Sequence, residues 1–194
     1  DEQWEANLKD LRELLFKTGL QAWHPPQKTG FFRHIVVRKS FFQDKLLINL
    51  VTSSEGLEDF NPQLFVDFLI ERMGERIAGI QHTVNDNVAD RAKIENGRCD
   101  LLHGAPIVIE ELHGLKFEIS MESFFQTNPK SAEKLYAKAL DYVFEEPLNN
   151  QDVVMDLFCG TGTIGQILTQ RNKNVKIIGV DIVEEAISDA KRNA

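Results

Sequence analysis

The sequence predicts an α+β domain with a mostly antiparallel sheet, followed by the start of a doubly wound α/β domain. Three observations carry this. Short apolar runs between glycine turns crowd the stretch from Phe31 to Ser120. From Pro129 onward, helical and strand patterns alternate. Between Val153 and Asp181 the order is apolar strand, glycine loop, helix, apolar strand, acid, which is one βαβ unit.

Each element has a local reason. Residues 2 to 18 suit an amphipathic helix, with Trp4, Leu8, Leu11 and Leu15 on one stripe and Gly19 closing it. The stretch Trp23 to Gly30 reads as extended loop, because Pro25 and Pro26 restrict their predecessors. Phe31 to Lys39 and Leu46 to Thr52 read as paired strands. Asn61 and Pro62 open a helix carrying Leu64, Phe65, Phe68 and Leu69. Ile77 to Val84, Cys99 to His103, Ile107 to Glu111 and Phe117 to Ser120 read as further strands. Asn128 caps a helix from Pro129 to Phe144. The expected organisation is an N-terminal helix over 1–19, a central α+β domain over 20–125 and an α/β portion over 126–194.

The segment from Asp156 to Gly165 holds the richest chemistry. Gly160 and Gly162 let the backbone turn tightly and approach a ligand. Asp181, at the tip of the second strand, suits the two hydroxyls of a ribose. Gly160, Gly162 and Gly165 fit the dinucleotide fingerprint literally, which keeps an NAD(P)-dependent oxidoreductase as an alternative. In that fingerprint, however, the first glycine follows the strand almost at once. Here Asp156 closes the strand, and Leu157, Phe158 and Cys159 intervene. An acid at the strand end before a glycine loop suits S-adenosylmethionine, whose ammonium and sulfonium favour a carboxylate. A plainer reading of the same residues has Asp156 capping the helix and Gly165 packing it.

Upstream stands Ser123-Phe124-Phe125-Gln126-Thr127-Asn128, just before the helix that leads into the βαβ unit. Together with the segment from Asp156 to Gly162, it closely resembles the RNA uracil-C5 methyltransferases, which make 5-methyluridine in ribosomal or transfer RNA. The segment Asn85 to Asp90, Gly104, and Ile109 to Leu112 also looks like the middle of that family. The likeness runs from about Gly30 to the end and is densest over 119–165. It implies a Rossmann-like S-adenosylmethionine-dependent methyltransferase domain and an RNA substrate, ribosomal ahead of transfer. It implies that Gln126 contacts the cofactor and that Phe124 lies against the target base. Phe158 and Thr163 would line the cofactor pocket, and Asp181 would bind the ribose. The family adds a cysteine thiolate to C6 of uracil, so that C5 can attack the methyl group. Neither Cys99 nor Cys159 stands in a matching context, and no residue here is assigned as nucleophile or base. The chain stops in the helix after the second strand, so the expectation is a piece without the later catalytic half, inactive by itself.

Composition bounds the rest. Hydrophobic residues make up 42%, enough for a core, and no apolar run has membrane-spanning length. The expected location is cytoplasmic, with no metal site and no disulfide framework. The net charge of −8 argues against a generic nucleic-acid surface. A local basic strip of Lys28, Arg33, His34, Arg38 and Lys39 is best explained as a solvated sheet edge. Glu110 and Glu111 read as a solvated strand end, and His103 and His113 as turn residues. A thiol lowered by the helix N-terminus at Cys159 ranks behind simple packing. Two strands of an open parallel sheet leave edges bare, so self-association is expected. A non-catalytic RNA-binding module is the remaining alternative.

Overall fold

The computed structural model describes residues 1–87 and 97–194. Val88, Ala89 and Asp90 of the Asn85 to Asp90 segment lie outside the described residues. The chain divides into two compact units. One comprises Asp1–Ser40 and Asp44–Val108, the other Phe41–Gln43 and Ile109–Ala194. No helix among the described residues is long and apolar enough to cross a membrane.

The first unit is a four-stranded sheet with two helices. Its strands are β1 (Phe32–Ser40), β2 (Lys45–Thr52), β3 (Ile77–Val84) and β4 (Arg98–Gly104), in the order β1-β2-β3-β4. The outer pairings are antiparallel and β2–β3 is parallel, so the sheet is mixed but mostly antiparallel, as expected. The parallel pairing requires a crossover, and α2 (Pro62–Met73) supplies it. Asn61 caps that helix by accepting the Gln63 N–H at 3.0 Å, with Pro62 at the first helical position.

Every residue of β2 from Leu46 to Thr52 is buried, so both faces of this strand are covered. Leu46, Ile48 and Leu50 alternate along β2 and pack with Ile77 and Ile80 of β3. Against them lie Phe65, Leu69 and Met73 of α2, and Leu11 of α1 (Glu2–Phe16). Fully burying each such side chain stabilises by about 1.5–3 kcal/mol. Leu14 joins this core together with Trp4 and Leu15, whereas Leu8 does not. In α2 the buried residues are Phe65, Val66, Leu69 and Met73, and Leu64 is exposed.

Two local expectations are corrected. Trp23 to Gly30 is not extended. Pro25–Lys28 turn sharply, closed by the His24–Thr29 bridge and by a Lys28 N–H donated to His24 O at 2.8 Å. Lys28 takes a positive φ of 54° to make that turn. Four residues of the basic strip, Arg33, His34, Arg38 and Lys39, do lie on the edge strand β1, but they are half-buried rather than solvated, while Lys28 is exposed in the turn before it. Arg33 stacks over the Trp23 ring at 4.3 Å and donates to Asn85 O, and Lys39 pairs with Asp1 and Asp44.

In the second unit, β5 (Ile107–Leu112), which starts at the boundary, pairs with β6 (Leu115–Ser120) alone. The two strands are joined by a tight turn at His113 and Gly114, both with positive φ. Next come α3 (Pro129–Val143), β7 (Val153–Leu157), α4 (Thr163–Arg171), β8 (Lys176–Val180) and α5 (Glu184–Asn193). β7 and β8 are parallel, with α4 as their crossover, which is the βαβ unit expected from the sequence.

Glu110 is not a solvated strand end. It is 3% exposed, on the same face of β5 as Val108 and Leu112. Its carboxylate accepts the N–H groups of Phe41 at 2.6 Å, Phe42 at 2.9 Å and Glu111 at 3.0 Å. These donors satisfy carboxylate oxygens that burial would otherwise leave without hydrogen-bond partners.

Candidate functional site

The carboxyl ends of β7 and β8 meet at the glycine loop. Backbone φ is positive at Phe158 (63°), Gly160 (53°) and Gly162 (74°), so the chain reverses within five residues. A Cβ added at Gly160 would meet open space, so ligand atoms have room to approach the backbone there. Phe158 stands at the loop with 87% of its surface exposed.

Asp181 organises this loop. Its Oδ2 accepts the Gly160 N–H at 2.9 Å, and its Oδ1 accepts the Val183 N–H at 2.9 Å. The Val183 bond, then the Gly160 bond, hold its carboxyl below the usual range. An ionised acceptor with lone pairs beyond those these bonds take therefore stands at the loop.

Asp156, at the end of β7, faces the helix that follows the loop. Its Oδ2 accepts the N–H of Gly165, the third residue of α4, at 3.0 Å. It therefore caps the helix from inside β7, which is the plainer reading of this residue. Burial raises its carboxyl above the ordinary value, and the Gly165 bond opposes that rise. This bond also bears on the dinucleotide alternative. A pyrophosphate needs a bare helix N-terminus, and here a carboxylate already occupies one of its N–H groups.

Cys159 fits packing rather than reactivity. Burial, then the Asp156 and Asp181 charges, raise its thiol. Its Sγ lies 3.0 Å from where a Cβ on Gly179 would stand, so the glycine makes room for it. Thr163, the first residue of α4, is buried, with its hydroxyl 2.9 Å from that of Thr161.

The segment Ser123 to Asn128 divides by residue. Asn128 caps α3 by accepting the Ser131 N–H at 3.1 Å. Phe125 packs against Phe117, with ring centroids 6.1 Å apart, while Phe124 is 74% exposed. Gln126 hydrogen-bonds the buried Tyr136 of α3. Burial pushes the Tyr136 hydroxyl up, the Gln126 bond opposes it, and the Asp156 charge adds to the rise. Both Gln126 and Asp156 thus act on the Tyr136 hydroxyl of α3. Ser123 is buried against Asp189 of α5, a partner with no signal in the sequence.

Residues 148–194 match the methyltransferase-domain family. An uncharacterized RNA methyltransferase of Clostridium tetani is 41% identical over 169 residues, 86% of this chain and 35% of that protein. Another, of Clostridium acetobutylicum, is 38% identical over 195 residues, all of this chain and 41% of that protein. Among solved structures, the tRNA (uracil-54, C5)-methyltransferase of Pyrococcus abyssi, in complex with S-adenosyl-L-homocysteine, superposes with a TM-score of 0.67. It is 27% identical, covering 95% of this chain and 42% of that one. The chain therefore spans about two fifths of the length of these proteins. The Rossmann-like fold class expected from the sequence is the one observed.

Proposed function

We propose that the second unit holds S-adenosylmethionine at the carboxyl ends of β7 and β8, and that the intact protein methylates uridine at C5 in RNA. The observation that carries the reading is Asp181. It is an ionised carboxylate fixed by two backbone N–H groups, at the mouth of a loop with open space over Gly160.

The residues present fit the cofactor. Asp181 would accept the ribose hydroxyls, Phe158 would give an aromatic face, and Gly160 and Gly162 would let the backbone approach. Gln126 would offer its amide to the polar end. Bound there, S-adenosylmethionine would supply an electrophilic methyl group. Phe124 would stack on a uracil taken out of its helix, replacing lost base stacking. The named relatives are RNA methyltransferases, and the Pyrococcus neighbour acts at C5 of a uracil, which supports the same reaction class.

The test uses RNA tritiated at uracil C5, ribosomal and transfer in separate reactions. Replacing the C5 hydrogen by methyl sends that hydrogen to water. Tritium release that depends on S-adenosylmethionine is the expected result. Methyl transfer without tritium release would move the reaction to another RNA atom, and no transfer to either RNA would overturn the proposal.

A further inference from the structure

Residues 121–128 carry Phe124 and Gln126 yet form neither helix nor strand. Their placement must come from outside the segment, and α5 provides it. Ser123 donates its hydroxyl to Oδ2 of Asp189 and accepts the Ser120 N–H at 3.1 Å. Ser120 Oγ stands 2.7 Å from Ser123 Oγ and 3.2 Å from Asp189 Oδ2. Asp189 is 5% exposed, and its other oxygen accepts from Arg192. One turn further on, Asn193 pairs with the backbone of Glu118 in both directions. It accepts that N–H at 2.7 Å and donates to that carbonyl at 3.2 Å.

Residues four apart share a helix face, so Asp189 and Asn193 fasten one side of α5 to β6 and to the residues that follow it. The last fastening point, Ser123, immediately precedes Phe124. The other end of α5 begins just after Asp181, whose carboxylate accepts the N–H of Val183 at the N-cap. One ten-residue helix thus joins the ribose acceptor to the segment bearing Gln126.

We infer that Asp189, acting through Ser123, is a positioning residue that sets where Phe124 and Gln126 stand in the cofactor and base site. The inference rests on the reading of Gln126 as a cofactor contact. It adds a requirement that cofactor affinity depends on a carboxylate with no cofactor contact of its own.

The experiment is calorimetric titration of S-adenosylhomocysteine into the intact protein, with thermal melting as a check on folding. Ser123→Ala removes only the hydroxyl and should weaken binding by about tenfold, as expected of side chains coupled through one network. Asp189→Asn keeps an acceptor for Ser123 and should retain more affinity than Asp189→Ala. The double variant Ser123→Ala, Gln126→Ala should bind no more weakly than Gln126→Ala alone. Ser123→Ala combined with Asp181→Ala should instead multiply the two losses. A folded Ser123→Ala protein with unchanged affinity would overturn the inference alone, as would losses that multiply fully with Gln126→Ala. A wild-type protein that takes up no S-adenosylhomocysteine would overturn the cofactor reading and the inference with it.

Discussion

At the scale of the residue, two aspartates in one motif region have opposite electrostatic fates. Asp181 takes N–H bonds on both oxygens at an open loop, so its carboxyl is lowered and stays ionised throughout the neutral range. Asp181→Ala should weaken S-adenosylhomocysteine binding by on the order of tenfold, the loss typical of a charged hydrogen-bond acceptor, read by the same titration. Unchanged affinity would remove Asp181 from the site. Asp156 is half-buried and its carboxyl is raised. As pH rises through the unfolded-state value, the unfolded chain releases this proton before the folded one does. Stability attributable to Asp156 therefore falls with rising pH until the folded-state value is passed, and stays lower above it. Asp156→Asn keeps an oxygen for the Gly165 N–H without the charge. It should be at least as stable as wild type at pH 7 and lose that advantage in acid. Asp156→Ala should lose about 1 kcal/mol through the missing cap. Urea denaturation at the two pH values checks both. The spacing of Asp156, Gly160 and Asp181 was legible because strand and turn chemistry are local. A capping role for Asp156 is legible in the same way, but the N–H it takes, that of Gly165, is set by how the loop folds back on β7. The Ser123–Asp189 pair spans 66 residues, and no local pattern announces it.

At the scale of the element, nearly every helix and strand is legible in the sequence because the periods are clean. What is not legible lies where a neighbouring segment covers a surface. Glu110 and Glu111 look alike in the sequence, yet one is buried and the other half-exposed. The missed signal was the alternation Val108, Glu110, Leu112, which puts Glu110 on the inward face of β5. The acidic pair masked it, because carboxylates are seldom buried without partners. Here the partners are backbone N–H groups of Phe41 and Phe42, far upstream in the chain. Glu110→Ala would leave those groups without their acceptor. It should destabilise the protein by about 2 kcal/mol, with water recovering part of the loss at the exposed phenylalanines. A shift in the urea midpoint at unchanged slope is the expected readout, and an unchanged midpoint would mean the three bonds contribute nothing net.

At the scale of the whole molecule, the βαβ unit presents two different faces. Val154, Asp156, Ile177 and Gly179 share the face covered by α4, and the Cβ position of Gly165 lies 3.3 Å from Ile177 Cγ2. Val153, Met155 and Leu157 of β7, with Ile178 and Val180 of β8, lie on the other face, all substantially exposed. Five apolar side chains side by side form a patch of the kind that marks an interface. Each half-exposed chain of this size has roughly 1 kcal/mol still to gain from burial. Two such faces offer about 10 kcal/mol between them against an association cost of about 4–15 kcal/mol, so their pairing is weak. The 194-residue chain should therefore self-associate only at high concentration, on the order of 0.1–1 mM, where the free energy available is of matching size. Sedimentation velocity across a concentration series reads this directly. Met155→Lys places a charge at the centre of the patch, without touching the face under α4, and should return the chain to monomer. Association that persists in Met155→Lys would locate the contact elsewhere. A wild-type chain that stays monomeric throughout the series would show that this apolar face does not drive pairing.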